Sequence, residues 1–86
     1  MLELVKKIVE SLVDNPEGID VKEVEGETST IIQIKVTQSD IGKVIGKQGR
    51  IIEAIRTLSK AIGGKSKRNY MIEMVEDAPR YINKED

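Results

Sequence analysis

Apolar residues recur at three- and four-residue spacings near the start of the chain: Leu2, Val5, Ile8, Val9, Leu12 and Val13. That spacing predicts an amphipathic helix over residues 2–13, with Glu3, Lys6, Lys7 and Glu10 off its stripe. Asp14-Asn15-Pro16-Glu17-Gly18 ends it, because the residue before proline is biased out of the helical region and glycine permits a turn. The period then shortens to two. Ile19 and Val21 alternate with Asp20 and Lys22, which predicts a strand over residues 19–25. Val24 slips out of phase, as a bulge or an edge position would allow. Glu25-Gly26-Glu27 signals a hairpin turn. The next run, Thr28 to Thr37, reads as a second strand paired antiparallel to the first. Ile32, Ile34 and Val36 take one face; Gln33 and Lys35 take the other.

Helical spacing returns after Ser39, which is expected to be an N-cap, with Asp40 in the first turn. Ile41, Val44 and Ile45 form the apolar side of a short helix that ends at Gly46. A longer helix is expected from Gly49 to about Ile62. Its buried face is Ile51, Ile52, Ile55, Leu58 and Ile62, and Gly63-Gly64 caps it. Residues 63–69 read as a flexible basic loop, and Tyr70 to Glu76 as a third strand with Tyr70, Ile72 and Met74 inward. The order α-β-β-α-α-β gives an α+β domain. One apolar side per helix predicts a three-stranded sheet with three helices packed on one face. The link from the second strand to the third is long enough for a parallel crossover, so a mixed sheet is expected. The domain spans residues 1–76, and residues 77–86 form a polar tail in which Tyr81 and Ile82 could pack back.

Composition narrows the chemistry. The 86 residues contain no cysteine and no histidine, which removes disulfides, Cys/His zinc sites, thiolate nucleophiles and Ser-His-Asp triads. No apolar run approaches the roughly 18–20 residues of a membrane span, and Glu3, Lys6 and Lys7 interrupt any signal-peptide pattern. A cytoplasmic location without membrane attachment is the expectation. The net charge of −1 hides a segregation: residues 40–68 hold eight Lys/Arg against two acids, and the flanking segments are acidic.

That basic block contains Val44-Ile45-Gly46-Lys47-Gln48-Gly49-Arg50-Ile51-Ile52. Two glycines enclose two polar residues between two predicted helices. Glycine lets a phosphate approach the backbone, allows positive φ, and opens the N-terminus of the second helix, whose N–H groups are unpaired. Lys43, Lys47 and Arg50 supply positive charge. Lys47 and Gln48 sit in a turn that exposes them, so packing does not require their identity.

This segment resembles the KH-domain signature, and the element order is similar to the type II KH topology. The length and the acidic N-terminal half resemble the small single-domain bacterial KH proteins of the KhpA family. The resemblance implies single-stranded RNA binding, with the Gly46–Gly49 turn clamping the backbone of four nucleotides. It implies a general RNA-binding or chaperone role, or post-transcriptional regulation, without a cofactor or metal. It also implies partners: a second copy in a homodimer, or a larger KH-containing protein. Lys47 and Arg50 are the expected phosphate contacts, followed by Lys43. Val44, Ile45 and Ile52 are expected either to floor an apolar groove or to pack in the core. The sheet would supply the other groove wall.

Two tyrosines are the only aromatic residues, so RNA readers built on aromatic stacking are disfavoured. A protein-interaction module on the same scaffold is an open alternative, and so is single-stranded DNA as ligand. An enzyme is disfavoured: no paired carboxylates fall in an evident cleft. The turn also lacks the Gly-Lys-Ser/Thr ending of a nucleotide-binding P-loop.

Overall fold

The computed structural model describes residues 1–75. Helix α1 (Leu2–Leu12) buries Val5 and Val9, four residues apart on its apolar stripe. A 3₁₀ turn at Pro16–Gly18 reverses the chain, with proline opening it as a residue that needs no N–H there. Strands β1 (Asp20–Glu25) and β2 (Ser29–Lys35) pair antiparallel through a turn in which the Gly26 N–H donates to the Ser29 carbonyl at 2.7 Å. Pairing runs one to one from Asp20↔Lys35 to Glu25↔Thr30, so no bulge accompanies Val24. Val24 instead stands on the outer face of an edge strand, opposite Ile31.

Strand β2 is central and also pairs in parallel with β3 (Asn69–Met74), giving the order β1-β2-β3. The crossover between β2 and β3 contains α2 (Ile41–Ile45) and α3 (Arg50–Ser66). The expected α-β-β-α-α-β order and mixed sheet are therefore present. One core joins Val5 and Val9 of α1 to Val44 of α2 and Ile52 and Ile55 of α3. The inward sheet residues Val21, Ile32, Ile34 and Ile72 complete it, with Val36 just past β2. Full burial of each Val or Ile contributes roughly 1.5–3 kcal/mol, so this shared core fixes where α2 and α3 meet.

Three sequence expectations are corrected. Ser39 is no N-cap. The chain makes a 3₁₀ turn at Gln38–Asp40 before α2, and neither element has a side-chain cap. Asp40 is buried instead and reaches back to the exit of α1. Its carboxylate accepts from the Asn15 N–H at 2.9 Å, Asn15 Nδ2 at 3.1 Å, Thr37 Oγ1 at 3.0 Å and the Asp14 N–H at 3.3 Å. Burial pushes this carboxyl up, but the hydrogen bonds from Asn15, Asp14 and Thr37 outweigh that and hold its pKa below the usual value.

The second correction concerns the end of α3. The helix passes through Gly63-Gly64 to Ser66, so residues 63–66 are not loop. Its terminator is Lys67, in the left-handed region at φ 59°. The Arg68 N–H donates to the Gly63 carbonyl at 2.7 Å and the Lys67 N–H to the Gly64 carbonyl at 3.4 Å, the two bonds of a Schellman end. Third, Leu58 and Ile62 are not buried; they are 52% and 39% exposed. The buried stripe continues as Ser59 and Gly63. Small residues are needed there because a Cβ on Gly63 would collide with the Arg68 carbonyl oxygen and sit 3.1 Å from the Tyr70 ring. The Ser59 hydroxyl is satisfied within the helix, donating to the Ile55 carbonyl at 2.8 Å. Tyr81 and Ile82 lie outside the described residues.

Candidate nucleic-acid interface

Helix α2 ends because Gly46 adopts φ 81°, ψ 169°, a conformation that only glycine takes readily. Its N–H still closes α2 by donating to the Gly42 carbonyl at 2.8 Å. Lys47–Gly49 then forms a single tight turn, held by the Gly49 N–H donating to the Gly46 carbonyl at 3.0 Å. Gln48 at φ 58° and Gly49 at φ 74° are both left-handed, and α3 starts at Arg50 with no side-chain cap. The turn thus delivers the chain directly into an uncapped helix N-terminus, where partial positive charge accumulates.

The two glycines are constrained differently. A Cβ on Gly46 would lie 2.6 Å from Ile51 Cγ1, so this glycine is required by packing as well as by φ. A Cβ on Gly49 would meet nothing within 4 Å. Gly49 therefore leaves an open approach to the backbone beside the α3 N-terminus.

The structure brings Lys47, Gln48 and Arg50 together on the exposed rim of this turn. Arg50 Nη2 donates to Gln48 Oε1 at 3.0 Å, which holds the guanidinium over the loop. Lys43 is turned aside: its Nζ lies 3.4 Å from Asp14 and 3.7 Å from Asp40. Val44 is fully buried and Ile52 nearly so; both support the turn from beneath. Ile45 is half-buried and remains available beside the loop.

A second surface feature involves β3. It is an edge strand packed against α3, and a groove of about 420 Å³ lies between them. Arg56, Lys60, Asn69, Tyr70, Met71 and Ile72 line it. Arg56 spans this groove. Its Nε and Nη2 donate to the Ile72 carbonyl at 3.4 and 3.3 Å, and its Nη1 pairs with Glu53 at 2.6 Å. The guanidinium therefore satisfies a carbonyl that an edge strand would otherwise expose. Met71, 51% exposed, gives the groove an apolar lip.

No group of three or more His, Cys, Asp or Glu residues placed to hold a metal ion occurs among the described residues. None of their helices is long and apolar enough to cross a membrane. The chain thus carries an exposed turn rimmed by Lys47 and Arg50 at the start of α3, and a shallow groove between α3 and β3.

Comparison with known proteins identifies the family. A family model described as KhpA/KhpB, KH domain, matches residues 2–74. A protein of Caldanaerobacter subterraneus subsp. tengcongensis named RNA-binding protein KhpA is 53% identical over 75 residues, covering 87% of this chain and all of that protein. Proteins with the same name from Clostridium perfringens and Aquifex aeolicus are 52% and 42% identical, over 87% and 86% of this chain and 100% and 94% of theirs. With its α-β-β-α-α-β fold, its two-glycine turn and these matches over nearly all the described residues, the chain belongs to the KhpA/KhpB KH-domain family.

Proposed function

We propose that this chain binds single-stranded RNA in the cytoplasm, clamping the phosphate backbone on Gly46–Gly49 and laying the bases in the groove between α3 and β3. It acts as a binding module, in RNA chaperoning or post-transcriptional control, rather than as an enzyme. The observation that carries the reading is Gly49: positive φ, no neighbour where a Cβ would stand, and an uncapped helix N-terminus beginning at the next residue. Lys47 and Arg50 neutralise phosphates; Lys43 contributes less because two carboxylates already hold it. Ile45, Met71 and the aliphatic part of Arg56 offer apolar surface to the bases. The names of the relatives, each an RNA-binding protein, support the same ligand class.

The test is the double variant Lys47→Asp, Gln48→Asp, compared with wild type by gel shift and thermal melt. Both side chains are exposed, so the melt should barely move while RNA binding is lost. Undiminished RNA binding sinks the clamp. Four phosphate contacts would also give a slope of log K against log salt of about −3.

The exposure of Leu58 and Ile62 favours a second role on the same scaffold. They lie one helical turn apart on the outer side of α3, where a second copy or a larger KH-containing protein can cover them. Dimerisation would add avidity when both grooves reach one RNA. Leu58→Asp should then leave the protein monomeric at concentrations where wild type is dimeric by light scattering.

A further inference from the structure

A second cleft of about 380 Å³ lies at the far end of α3, lined by Thr28, Lys60, Gly63, Gly64, Lys67, Arg68 and Asn69. Lys60 and Asn69 also line the α3–β3 groove, so the two adjoin at these residues. We infer that this cleft is an extension of the RNA site, in which backbone phosphates beyond the four-nucleotide groove are held by Lys67 and Lys60 against the bare backbone at Gly64. The inference rests on the RNA-binding reading above.

Two residues in the cleft contradict local stability, in opposite senses. Gly64 lies within α3 with ordinary helical φ, and nothing stands within 4 Å of where its Cβ would be. Neither conformation nor packing requires glycine there, and alanine is the better helix former. Lys67 occupies the left-handed position that ends the helix, where glycine is the residue that avoids strain. The chain thus has glycine where the fold prefers a side chain, and a lysine where it prefers glycine. Local rules broken without structural gain mark functional positions. Here the result is an open stretch of backbone beside a projecting cation.

The electrostatics agree. Arg68 is committed to Glu25, with Nη2 to Oε2 at 2.8 Å, and that hydrogen bond holds its pKa above the ordinary value. Lys60 and Lys67 have no ion-pair partner among the described residues. A helix C-terminus disfavours anions. In this case the Gly63 and Gly64 carbonyls are occupied by the Arg68 and Lys67 N–H groups, and the lysines face the cleft. From Arg50 to Lys67, α3 spans about 25 Å at 1.5 Å per residue. Lys67 therefore lies well beyond the loop, at the far end of α3.

The experiment measures binding of labelled oligouridine to the full chain by fluorescence anisotropy, using a four-nucleotide oligomer and one about twice as long. Wild type should bind the longer oligomer more tightly. Lys67→Gly should weaken binding of the longer one about fivefold at 0.1 M salt and make its salt slope shallower by about 0.7, one phosphate contact. Gly64→Ala should also weaken the longer oligomer. Neither variant should change the four-nucleotide affinity, and both should melt at or above the wild-type temperature. The inference is overturned if both variants bind the longer RNA like wild type, or if they weaken both lengths equally, as a diffuse field would. The Lys47→Asp, Gln48→Asp variant keeps the two readings distinct. If it binds the four-nucleotide oligomer like wild type, the groove reading fails whatever the cleft does.

Discussion

Gly46→Ala and Gly49→Ala should separate stability from binding, although the two glycines are three residues apart in one motif. Gly46 sits at φ 81°, ψ 169°. Such a glycine-only conformation costs another residue about 1–3 kcal/mol. The added methyl would also stand 2.6, 2.8 and 2.9 Å from Ile51 Cγ1, Cβ and Cδ1. Ile51 is β-branched and lies in the first turn of α3, so its Cβ cannot move without moving the helix. Overpacking of this kind adds about 1–3 kcal/mol. Together the two terms reach about 2–6 kcal/mol, against a total stability of about 5–15 kcal/mol for a domain of this kind. At about 4–8 °C per kcal/mol, Gly46→Ala should lower Tm by about 8–48 °C.

Gly49 is left-handed at φ 74°, ψ 15°, with open space around the Cβ position. Only the conformational cost remains, about 1 kcal/mol, and a fall in Tm of about 4–8 °C. The methyl would project where, on the proposed clamp, a phosphate approaches the backbone. Loss of a hydrogen bond to a charged group costs about 1.5–3 kcal/mol, tenfold or more in affinity. Circular-dichroism melts give the first comparison, and anisotropy with single-stranded RNA at fixed salt gives the second. A Gly46→Ala melt within a few degrees of wild type refutes the packing argument. Wild-type affinity in Gly49→Ala refutes the cradle.

Two further outcomes follow from buried polar groups. The Thr30 hydroxyl is fully buried without a hydrogen-bond partner among the described residues, so isosteric Thr30→Val should raise stability by about 1 kcal/mol, read as a higher urea midpoint at unchanged m-value. Asp40 has a folded-state pKa below its unfolded value, so its contribution is fully present above the unfolded pKa and is lost as pH falls through the folded pKa. Asp40→Asn should therefore destabilise the protein at neutral pH and flatten the acid side of its stability profile, measured as Tm against pH. An unchanged acid limb would show that the latch between α1 and α2 contributes no pH dependence.

The readable parts of the sequence were those where side-chain size and polarity agree with burial. Val5 and Val9 repeat at helical spacing, and Ile32 and Ile34 alternate in a strand; all four are core. The glycine turn was also readable, because Gly46 and Gly49 have no other reason to bracket two polar residues between apolar helices. Asp40 was misread because two structures share one signal. A Ser-Asp pair before an apolar run looks like a cap, and nothing local indicates that the Asp14 and Asn15 N–H groups, 25 or more residues away, require an acceptor.

The far end of α3 was misread for a related reason. Hydrophobic spacing assigns Leu58 and Ile62 to the core, since a pattern of large apolar residues is blind to small ones. Helix-to-sheet distance decides otherwise. The Arg68 carbonyl and the Tyr70 ring come so close to α3 that only Gly63 fits, and the stripe facing them passes through Ser59 and Gly63. Leu58 and Ile62 are thereby rotated outward, and the helix is carried on to Lys67. Close packing at one glycine therefore has two consequences on the surface. It leaves an apolar patch on the outer side of α3, and it sets Lys67 and the bare Gly64 backbone at the end of the groove. Both features lie away from the motif that dominates the sequence, and a reading confined to that motif would miss them.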